Sequence, residues 1–515
     1  MSDTVSDTVS ETVYDLAIIG GGINGCGIAR DAAGRGLRVL LVEQDDLASA
    51  TSSWSSKLIH GGLRYLEQYE FRLVREALQE REVLLRIAPH IIHPLEFILP
   101  HDQHMRPAWM VRIGLFMYDH IGGKISLPGS RTVAFPDAVY SAGLAPAHRR
   151  GFFYSDAKVD DARLTVLNAI AARENGADIR VRTRLVEGKR KSGTWSLTLR
   201  DVDSGASTEV RAKGIVNAAG PWVKHLLDDT LRVPTTSNVK LVKGSHIVVP
   251  RIHGYQHAYI LQNDDKRVVF IIPYEEKFSL IGTTDIEVAS IADAAKISAA
   301  ETAYLLRAVN RFVAKPVLES DIVWTYAGVR PLYDDGSDNP SEITRDYVLK
   351  VDHDNGELPL LSIFGGKITT YRRLAEHALQ ELKPFYPAMK NGWTATVPLP
   401  GGDIESVTLT TQMMTKKYPA LPVDFLKRLV MRHGSRAEGV LKGVTKMSDL
   451  GTTFGQGANL LCEREIEFFI REELARTADD ILWRRTKCGL HMDQSERNIA
   501  ASFIADVVSR IIGKK

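Results

Sequence analysis

The chain has 515 residues, of which 44% are hydrophobic and 25% charged, and its formal net charge at pH 7 is +2. These values are typical of a soluble globular protein with about two or three domains. The nearly balanced charge gives no electrostatic reason to expect nucleic acid as a partner. Uninterrupted apolar runs are too short for a transmembrane helix, so any membrane contact is expected to be peripheral.

The cysteines and the N-terminus predict little chemistry of their own. Cys26, Cys462 and Cys488 lack metal-ligand spacing, which predicts no metal site and suits a reducing compartment. Cys26 is expected to be a small packed residue rather than a reactive thiol. Residues 1–13 repeat Ser, Asp, Thr and Val without a basic region or an apolar core. They therefore predict a disordered tail and not a signal peptide.

The stretch Tyr14–Glu43 predicts a dinucleotide-binding unit of strand, glycine turn, helix and strand. Tyr14–Ile19 is a short apolar run suited to a buried parallel strand, and Leu37–Val42 is the second. Between them lies a G-x-G-x-x-G motif, made by Gly20, Gly22 and Gly25. These glycines permit a tight turn, admit a pyrophosphate and let the helix pack on the strand. Glu43 follows at the spacing of a ribose-binding acid, although the motif alone does not separate FAD from NAD.

Helical, irregular and strand-rich segments follow this unit. A helix is predicted from Phe71 up to a stop at Pro89, and residues 91–150, rich in Pro, His and Gly, are predicted to be irregular. Strands are predicted at Asp178–Leu185, Trp195–Val202, Thr208–Lys213, Val239–Val249, Arg267–Pro273 and Phe278–Thr284. A Pro/Gly break at 397–403 precedes a mainly helical region. Its clearest predicted helices are Glu463–Thr477 and Ser495–Ile512.

Five further motifs occur in order along the chain. They are SSKLIHGGLRYLE at Ser55–Glu67, NAAGPW at Asn217–Trp222, GVRPL at Gly328–Leu332, GGKITTYR at Gly365–Arg372 and EIEFFIREELARTADDILWRRTKCGL at Glu465–Leu490. Together with the glycine motif, they make the chain resemble the FAD-dependent (aerobic) glycerol-3-phosphate dehydrogenases over almost all of residues 14–512.

The resemblance implies an α/β fold in three parts. An FAD/NAD(P)-binding, Rossmann-like domain of the amino-acid-oxidase type would hold the cofactor, and a β-sheet domain would cap the flavin and hold the substrate. An all-α domain would follow. The expected bounds are 14–90, 151–235 and 320–390 for the FAD domain, 91–150 and 236–319 for the cap, and 400–515 for the helical domain.

The chain is expected to return to one cofactor at Ser52–Ser55, Asn217–Gly220 and Gly365–Thr369, which favours FAD because a nicotinamide enzyme needs fewer such returns. A helix beginning near Lys367 would also bring its positive N-terminus close to the flavin. By resemblance, the residues expected to contact FAD are Gly20, Gly22, Ile23, Asn24, Gly25, Glu43, Gln44, Thr51, Ser52, Ser53, Ser55, Leu58, Ile59, His60, Val186, Ala218, Ala219, Gly220, Trp222, Gly366, Lys367, Ile368 and Thr369.

The substrate implied by the resemblance is sn-glycerol 3-phosphate, which carries nearly two negative charges. A site for it needs cations aimed at phosphate oxygens. Arg64, Arg330 and Lys367 match the family positions that line the substrate pocket. Tyr65, next to Arg64, is expected to hydrogen-bond the substrate or to lie near the flavin.

Oxidation at carbon 2 also requires a base for the alcohol proton. His60 and Lys367 are both candidates, and the sequence leaves this choice open. Arg330 is expected to polarise the hydroxyl or the developing carbonyl. His246 is interpreted as a structural residue.

Family members produce dihydroxyacetone phosphate, pass electrons to a membrane quinone and are peripheral membrane proteins. The resemblance therefore implies a quinone and the membrane surface as partners, at the cytoplasmic face of the cell membrane, and leaves a homodimer open. Two segments compete for the membrane contact: Arg106–Lys124, and the helix from Lys367 with Arg372 and Arg373. Three alternative functions stay open: an oxygen-reducing glycerol-3-phosphate oxidase, an amine or amino-acid oxidase, and a non-catalytic dinucleotide-binding regulator.

Overall fold

The computed structural model describes residues 12–513, apart from 102–105, 136, 147, 149, 266, 295 and 335–345 and the side chains of Arg64 and Ala458. The predicted tail falls, up to residue 11, outside these described residues. Its last residue, Val13, already belongs to the first strand.

The strands in chain order are β1 (Val13–Ile19), β2 (Val39–Val42), β3 (Leu58–Ile59), β4 (Ile92–His101), β5 (Arg131–Ala134), β6 (Arg150–Val159), β7 (Asp178–Arg180), β8 (Thr183–Lys191), β9 (Thr194–Asp201), β10 (Ser207–Asn217), β11 (Val239–Pro250), β12 (Ala258–Gln262), β13 (Val268–Tyr274), β14 (Phe278–Gly282), β15 (Ile286–Val288), β16 (Trp324–Tyr333), β17 (Val348–Asp354), β18 (Glu357–Phe364), β19 (Thr453–Phe454) and β20 (Leu461–Cys462). The helices are α1 (Ile23–Gly34), α2 (Phe71–Ile87), α3 (Ala108–Ile121), α4 (Asp161–Glu174), α5 (Val223–His225), α6 (Ala299–Asn310), α7 (Tyr371–Leu382), α8 (Val407–Lys417), α9 (Val423–His433), α10 (Ala437–Val440), α11 (Glu463–Glu472) and α12 (Gln494–Ile512).

The first sheet has a parallel centre, as the glycine unit predicts. Its order is β17-β18-β10-β1-β2-β7, and β1 pairs in parallel with both β2 and β10. Side chains of α1, α4 and α7 pack into the core on one face, and the meander β8–β9 contributes to the core on the other. Because strands covered on both faces are apolar throughout, β1 and β2 are recognisable from sequence.

The second sheet has the order β15-β11-β14-β13-β12-β4-β6-β3, with β16 on β11 and β5 on β6. The irregular structure predicted for residues 91–150 is wrong, since β4 and α3 lie there. Pro94 and Pro100 do not interrupt the contact of β4 with β12, because that ladder joins only Phe97 and Ile98 to their partners. Strands β6 and β16, which the predicted bounds assign to the FAD domain, pair within this second sheet.

The C-terminal region is helical, with its own apolar cores and one short ladder between β19 and β20. Helix α11 ends five residues before its predicted end at Thr477, because Leu474 takes a left-handed φ of 61°. Among the described residues, no helix is both long and apolar enough to cross a membrane.

Candidate active site

A cavity of about 980 Å³ lies where the two sheets and the C-terminal domain meet. Its wall includes the glycine motif at one end of the first sheet and side chains of β11 and β16 from the second. This size is at the upper end of the range for small-molecule sites, as a dinucleotide together with a substrate requires.

The glycine motif brings two separate strand ends together. Gly20 has a φ of 115°, and a Cβ there would lie 2.5 Å from the carbonyl oxygen of Ala218. A Cβ on Gly25 would collide with the carbonyl oxygen of Gly20. Both positions therefore require glycine, for the turn and for close packing respectively. The predicted return of the chain at Asn217–Gly220 beside the motif is confirmed by this contact.

The first turn of α1 fits a pyrophosphate. Its N-cap is Gly22, which has no side chain to accept the free N–H groups of this turn. Ser52 accepts a hydrogen bond from the amide of Ile23 at 2.9 Å and lies on the cavity wall with it. The remaining amides and the helix dipole favour an anion at this end of the cavity.

Glu43 lies at the end of β2 and on the cavity wall, as expected for a ribose ligand. Its carboxyl accepts the amides of Gly21 at 2.7 Å and Asp45 at 2.8 Å. Burial nevertheless raises the pKa of Glu43 to about 7, with smaller contributions from Asp45 and Asp46. The acid is therefore poised to change protonation near neutral pH.

We expect the affinity of the apoprotein for FAD to fall as the pH drops below 7. A ribose hydroxyl donates to the carboxylate form of Glu43, so binding must reverse its protonation at low pH. One linked proton gives a change of at most about tenfold per pH unit. Fluorescence titrations between pH 5.5 and 8.5 measure this slope. Glu43→Gln should flatten it, and an equally flat wild-type profile would contradict the assignment.

Most residues expected to contact FAD lie on the cavity wall. They are Gly20, Gly22, Ile23, Asn24, Glu43, Gln44, Thr51, Ser52, Ser55, Leu58, His60, Ala218, Ala219, Gly220, Trp222, Gly366, Lys367, Ile368 and Thr369. Gly25, Ser53, Ile59 and Val186 do not line it.

Three of these four residues have a structural reason for lying off the cavity wall. Ser53 is buried and donates to the carbonyl of Ala48, and Ile59 is buried in a core formed with β6. Val186 lies at a register shift between Leu185 and Glu187, so the cavity-facing stretch of β8 ends at Leu185. The assignment of Gly25, Ser53, Ile59 and Val186 as FAD contacts stays a prediction.

The serine-rich loop at residues 48–56 is fixed by a buried carboxylate that the sequence did not reveal. Asp161 accepts the hydroxyl of Ser55 at 2.7 Å and the ammonium of Lys57 at 2.9 Å. Thr51 is held in turn by the carbonyl of Val329 on β16, at 2.7 Å. These bonds stabilise the loop along the cavity and tie it to both sheets.

Two glycines on neighbouring strands of the second sheet leave space for side chains at the cavity. Gly244 on β11 pairs directly with Gly328 on β16. A Cβ on Gly244 would lie 2.6 Å from the hydroxyl of Thr283 and 2.7 Å from the guanidinium of Arg330. Arg330 is thereby held close to the sheet, where it forms an ion pair with Asp285 and donates to Thr283 at 3.3 Å.

Lys367 and Tyr65 meet on the wall of the same cavity. The ammonium of Lys367 lies 4.0 Å from the ring centroid of Tyr65, a cation–π contact. Gly365 and Gly366, with φ values of 80° and 107°, lead into Lys367 and a short 3-10 turn before α7. The side chain of Arg64 lies outside the described residues, so its predicted role is not tested here.

Three histidines line the cavity: His225, which is exposed and pairs with Asp229, and the more enclosed His60 and His246. Burial lowers the pKa of His60, and the nearby cations Lys367 and Arg330 act in the same direction. Burial also holds the pKa of His246 well below 6.5, with Arg330 as the next contribution. His246 contacts the hydroxyl of Ser56 through Nε2 at 2.9 Å. Both imidazoles are therefore neutral at pH 7, as a general base must be.

The sequence did not predict Thr283 or Asp285 as site residues, and it favoured a structural role for His246. The alternation of side chains along each strand does indicate which residues share one face of the sheet. Residues 244 and 246 share one face of β11, and residues 328 and 330 share the corresponding face of β16. The register that brings these faces together joins segments about eighty residues apart, and it is not visible in either segment alone.

Cys26 is fully buried, and burial raises the pKa of its thiol far above the usual value, which confirms the expected packing role. Over the described part of the chain, no cluster of three His, Cys, Asp or Glu residues suits a metal ion.

Two protein-family models together match nearly the whole chain. Residues 15–372 match the family of FAD-dependent oxidoreductases, and residues 393–514 match the C-terminal domain of alpha-glycerophosphate oxidase. The glycine turn, the free amides at the start of α1 and the carboxyl of Glu43 suit the pyrophosphate and ribose of FAD.

Curated relatives give the same assignment. A glycerol-3-phosphate dehydrogenase of Pseudomonas aeruginosa is 53% identical over 94% of each chain, and the aerobic glycerol-3-phosphate dehydrogenase of Escherichia coli is 50% identical over 96% of this chain and 97% of that one. The structure of a glycerol-3-phosphate dehydrogenase from Bacillus halodurans, complexed with FAD, has the same fold, with a TM-score of 0.72 at 24% identity over 97% and 95% of the two chains. The chain therefore belongs to the family of FAD-dependent glycerol-3-phosphate dehydrogenases.

Proposed function

We propose that the protein oxidises sn-glycerol 3-phosphate to dihydroxyacetone phosphate and passes the electrons to a membrane quinone. One observation carries the proposed oxidation of the substrate: Arg330 and Lys367 line the same cavity as the residues expected to bind FAD. An amine or amino-acid substrate carries an amino group that these cations repel when it is protonated, whereas a phosphomonoester brings nearly two negative charges to them.

The side chains divide the work as follows. Lys367 is a point cation for the phosphate, and Arg330 directs its fork of donors at the oxygen on carbon 2. FAD, when bound, accepts the hydride from that carbon. Asp285 and Thr283 keep the guanidinium oriented before substrate arrives. The cavity walls of the two sheets exclude water from the reacting atoms.

The alcohol proton goes to a neutral imidazole. His246 is favoured over His60, because it lies on β11, the strand paired with that of Arg330, and on the same face of the sheet as Arg330. A base next to the group that polarises the hydroxyl can remove its proton as the hydride leaves.

Replacement of His246 by Gln is expected to lower kcat about a hundredfold or more, the usual effect of removing a general base. The acid limb of the pH–kcat profile should disappear with it. His60→Gln is the matched variant, because it removes a second buried imidazole from the same cavity and should change kcat much less. A larger loss of kcat in His60→Gln than in His246→Gln would identify His60 as the general base.

The proposed membrane contact is α3. Trp109, Met110, Ile113 and Phe116 lie on one side of this helix and are 63%, 40%, 53% and 58% exposed. The opposite side is buried through Leu115 and Tyr118. Arg112 on this helix and Lys124 just after it add positive charge, which suits the interface of an anionic bilayer. The protein would thus lie at the cytoplasmic face of the cell membrane.

The competing helix, α7, offers less surface to a membrane, because only Arg373 of its two cations is exposed. Arg372 is buried and pairs with Glu80 and Glu376, and the apolar side of the helix packs into the core. A salt bridge to Glu376 also engages Arg373. We therefore favour α3 over α7, which stays the alternative membrane contact.

A Trp109→Ser, Phe116→Ser double variant is expected to bind anionic vesicles at least tenfold more weakly than the wild type. Each large apolar side chain is worth about 1.5–3 kcal/mol when fully buried, so partial insertion of two accounts for such a loss. Flavin content and turnover with a soluble dye should stay unchanged. Met413→Gln, at an exposed apolar position on α8, is the control. Equal vesicle binding by all three proteins would exclude α3.

The electron acceptor is tested by mixing the substrate-reduced protein with a ubiquinone analogue or with oxygen. Rapid reoxidation by the quinone and slow release of peroxide are expected. Fast peroxide formation that the quinone does not compete with would identify an oxidase instead.

A second polyol phosphate should be compared as a substrate. A relative from Brucella abortus that is 49% identical to this chain is named D-erythritol 1-phosphate dehydrogenase, so D-erythritol 1-phosphate should be assayed beside sn-glycerol 3-phosphate.

A further inference from the structure

The C-terminal domain reaches the cofactor cavity through a short segment. Thr477, Asp479, Asp480 and Arg484 line the same cavity as Glu43 and its neighbours Gln44, Asp45 and Asp46. This segment includes a π-helical stretch at Asp480–Thr486, a conformation that often marks functional positions. A domain that merely packs on the outside of the enzyme would have no reason to contribute to this wall.

Asp46 is held by two consecutive arginines of this segment. It accepts a hydrogen bond from Nε of Arg484 at 2.7 Å and two from the guanidinium of Arg485 at 2.6 and 2.8 Å. The Asp46 side chain is 3% exposed, Arg485 0% and Arg484 13%. Such a desolvated, bidentate arrangement is specific in geometry, and loss of one partner leaves a buried charge unpaired.

The loop that carries Asp46 also carries FAD-binding residues. Glu43, three residues earlier, holds the amide of Gly21 in the glycine motif. Ala48, two residues later, donates its amide to the carbonyl of Gly21, and Ser52 then caps the start of α1. The loop is therefore fixed on one side by the glycine motif and on the other by the C-terminal arginines.

The chemistry of this end of the cavity suits the adenosine half of the cofactor. Carboxylates of Glu43, Asp45, Asp479 and Asp480 accept hydrogen bonds and repel phosphate. Ribose hydroxyls and the exocyclic amine of adenine are donors that satisfy such acceptors. The negatively charged pyrophosphate lies further along, at the amides of α1.

We propose that the segment Thr477–Arg485 is part of the adenosine-binding site, so that docking of the C-terminal domain and binding of FAD stabilise each other. This coupling does not depend on the identity of the substrate or of the electron acceptor. It gives the helical domain a direct role in retaining the cofactor.

The test uses the full-length apoprotein, titrated with FAD by flavin fluorescence and with AMP as competitor. Arg484→Gln is expected to raise the Kd for FAD and the inhibition constant of AMP by the same factor, roughly tenfold, which corresponds to about 1.4 kcal/mol. Arg436→Gln is the matched control, because Arg436 also joins the C-terminal domain to the body, through Glu174, yet does not line the cavity. It should leave both constants unchanged.

Equal constants for Arg484→Gln and Arg436→Gln would overturn the proposal. A second measurement on the wild type covers the case in which Arg484→Gln does not fold. Hydrogen exchange of residues 476–487 should slow when AMP is added to the apoprotein. Exchange that is unchanged by saturating AMP would equally overturn the coupling, whereas absence of turnover with sn-glycerol 3-phosphate would affect only the proposed function.

Discussion

Replacement of Arg330 by Leu is expected to lower kcat/KM for sn-glycerol 3-phosphate about a thousandfold, while the protein still binds FAD. This factor corresponds to about 4 kcal/mol, the upper end of the range for removing one donor that stabilises charge in the transition state. The change removes a cation from the cavity and leaves the carboxylate of Asp285 unpaired, so it faces a dianionic substrate. Steady-state kinetics with a soluble dye and the visible spectrum measure the two effects.

Arg330→Lys is the control that separates charge from geometry. It restores a point charge beside Asp285 without the planar fork, so an intermediate kcat/KM is expected. Exposed Arg307 on α6, changed to Leu, should leave the kinetics as in the wild type. Unchanged kcat/KM in Arg330→Leu would remove this residue from the proposed chemistry.

Replacement of Gly25 by Val is expected to yield protein without FAD. A Cβ at this position collides with the backbone carbonyl of Gly20 and approaches Ala218, and neither backbone segment can move without opening the first sheet. The turn that admits the pyrophosphate is then displaced from α1. The ratio of flavin absorbance to protein absorbance in the purified variant measures the loss.

Gly254→Ala provides the matched control, because a Cβ there meets no heavy atom within 4 Å. It should retain flavin and thermal stability. A fully loaded Gly25→Val variant would show that the close approach of α1 to β1 is not needed for the cofactor.

The cofactor half of the site could be predicted because its determinants are local in sequence. Gly20, Gly25 and Glu43 lie within one strand–helix–strand unit, and each has a backbone or spacing requirement that the sequence displays. The predicted return of the chain near Ala218 also follows from small residues after an apolar strand. These features predict the cofactor site without any knowledge of how the rest of the chain folds.

The substrate half depends on pairing between distant strands. Asp285 and His246 acquire their roles only when β11 pairs with β16 and β15, and no local pattern fixes that register. The prolines of β4 similarly hid a strand, because the ladder positions that tolerate proline are set by the neighbouring strands. Burial of Arg372 against Glu80 is a tertiary contact of the same kind.

Above all, we propose that the protein oxidises sn-glycerol 3-phosphate and that its bound flavin is reduced in the same step. The most direct measurement is the visible spectrum of the purified protein when sn-glycerol 3-phosphate is added without oxygen, with glycerol as the control that lacks the phosphate. We expect the flavin absorbance to bleach with sn-glycerol 3-phosphate and to persist with glycerol. A flavin that stays oxidised in the presence of sn-glycerol 3-phosphate would contradict the account.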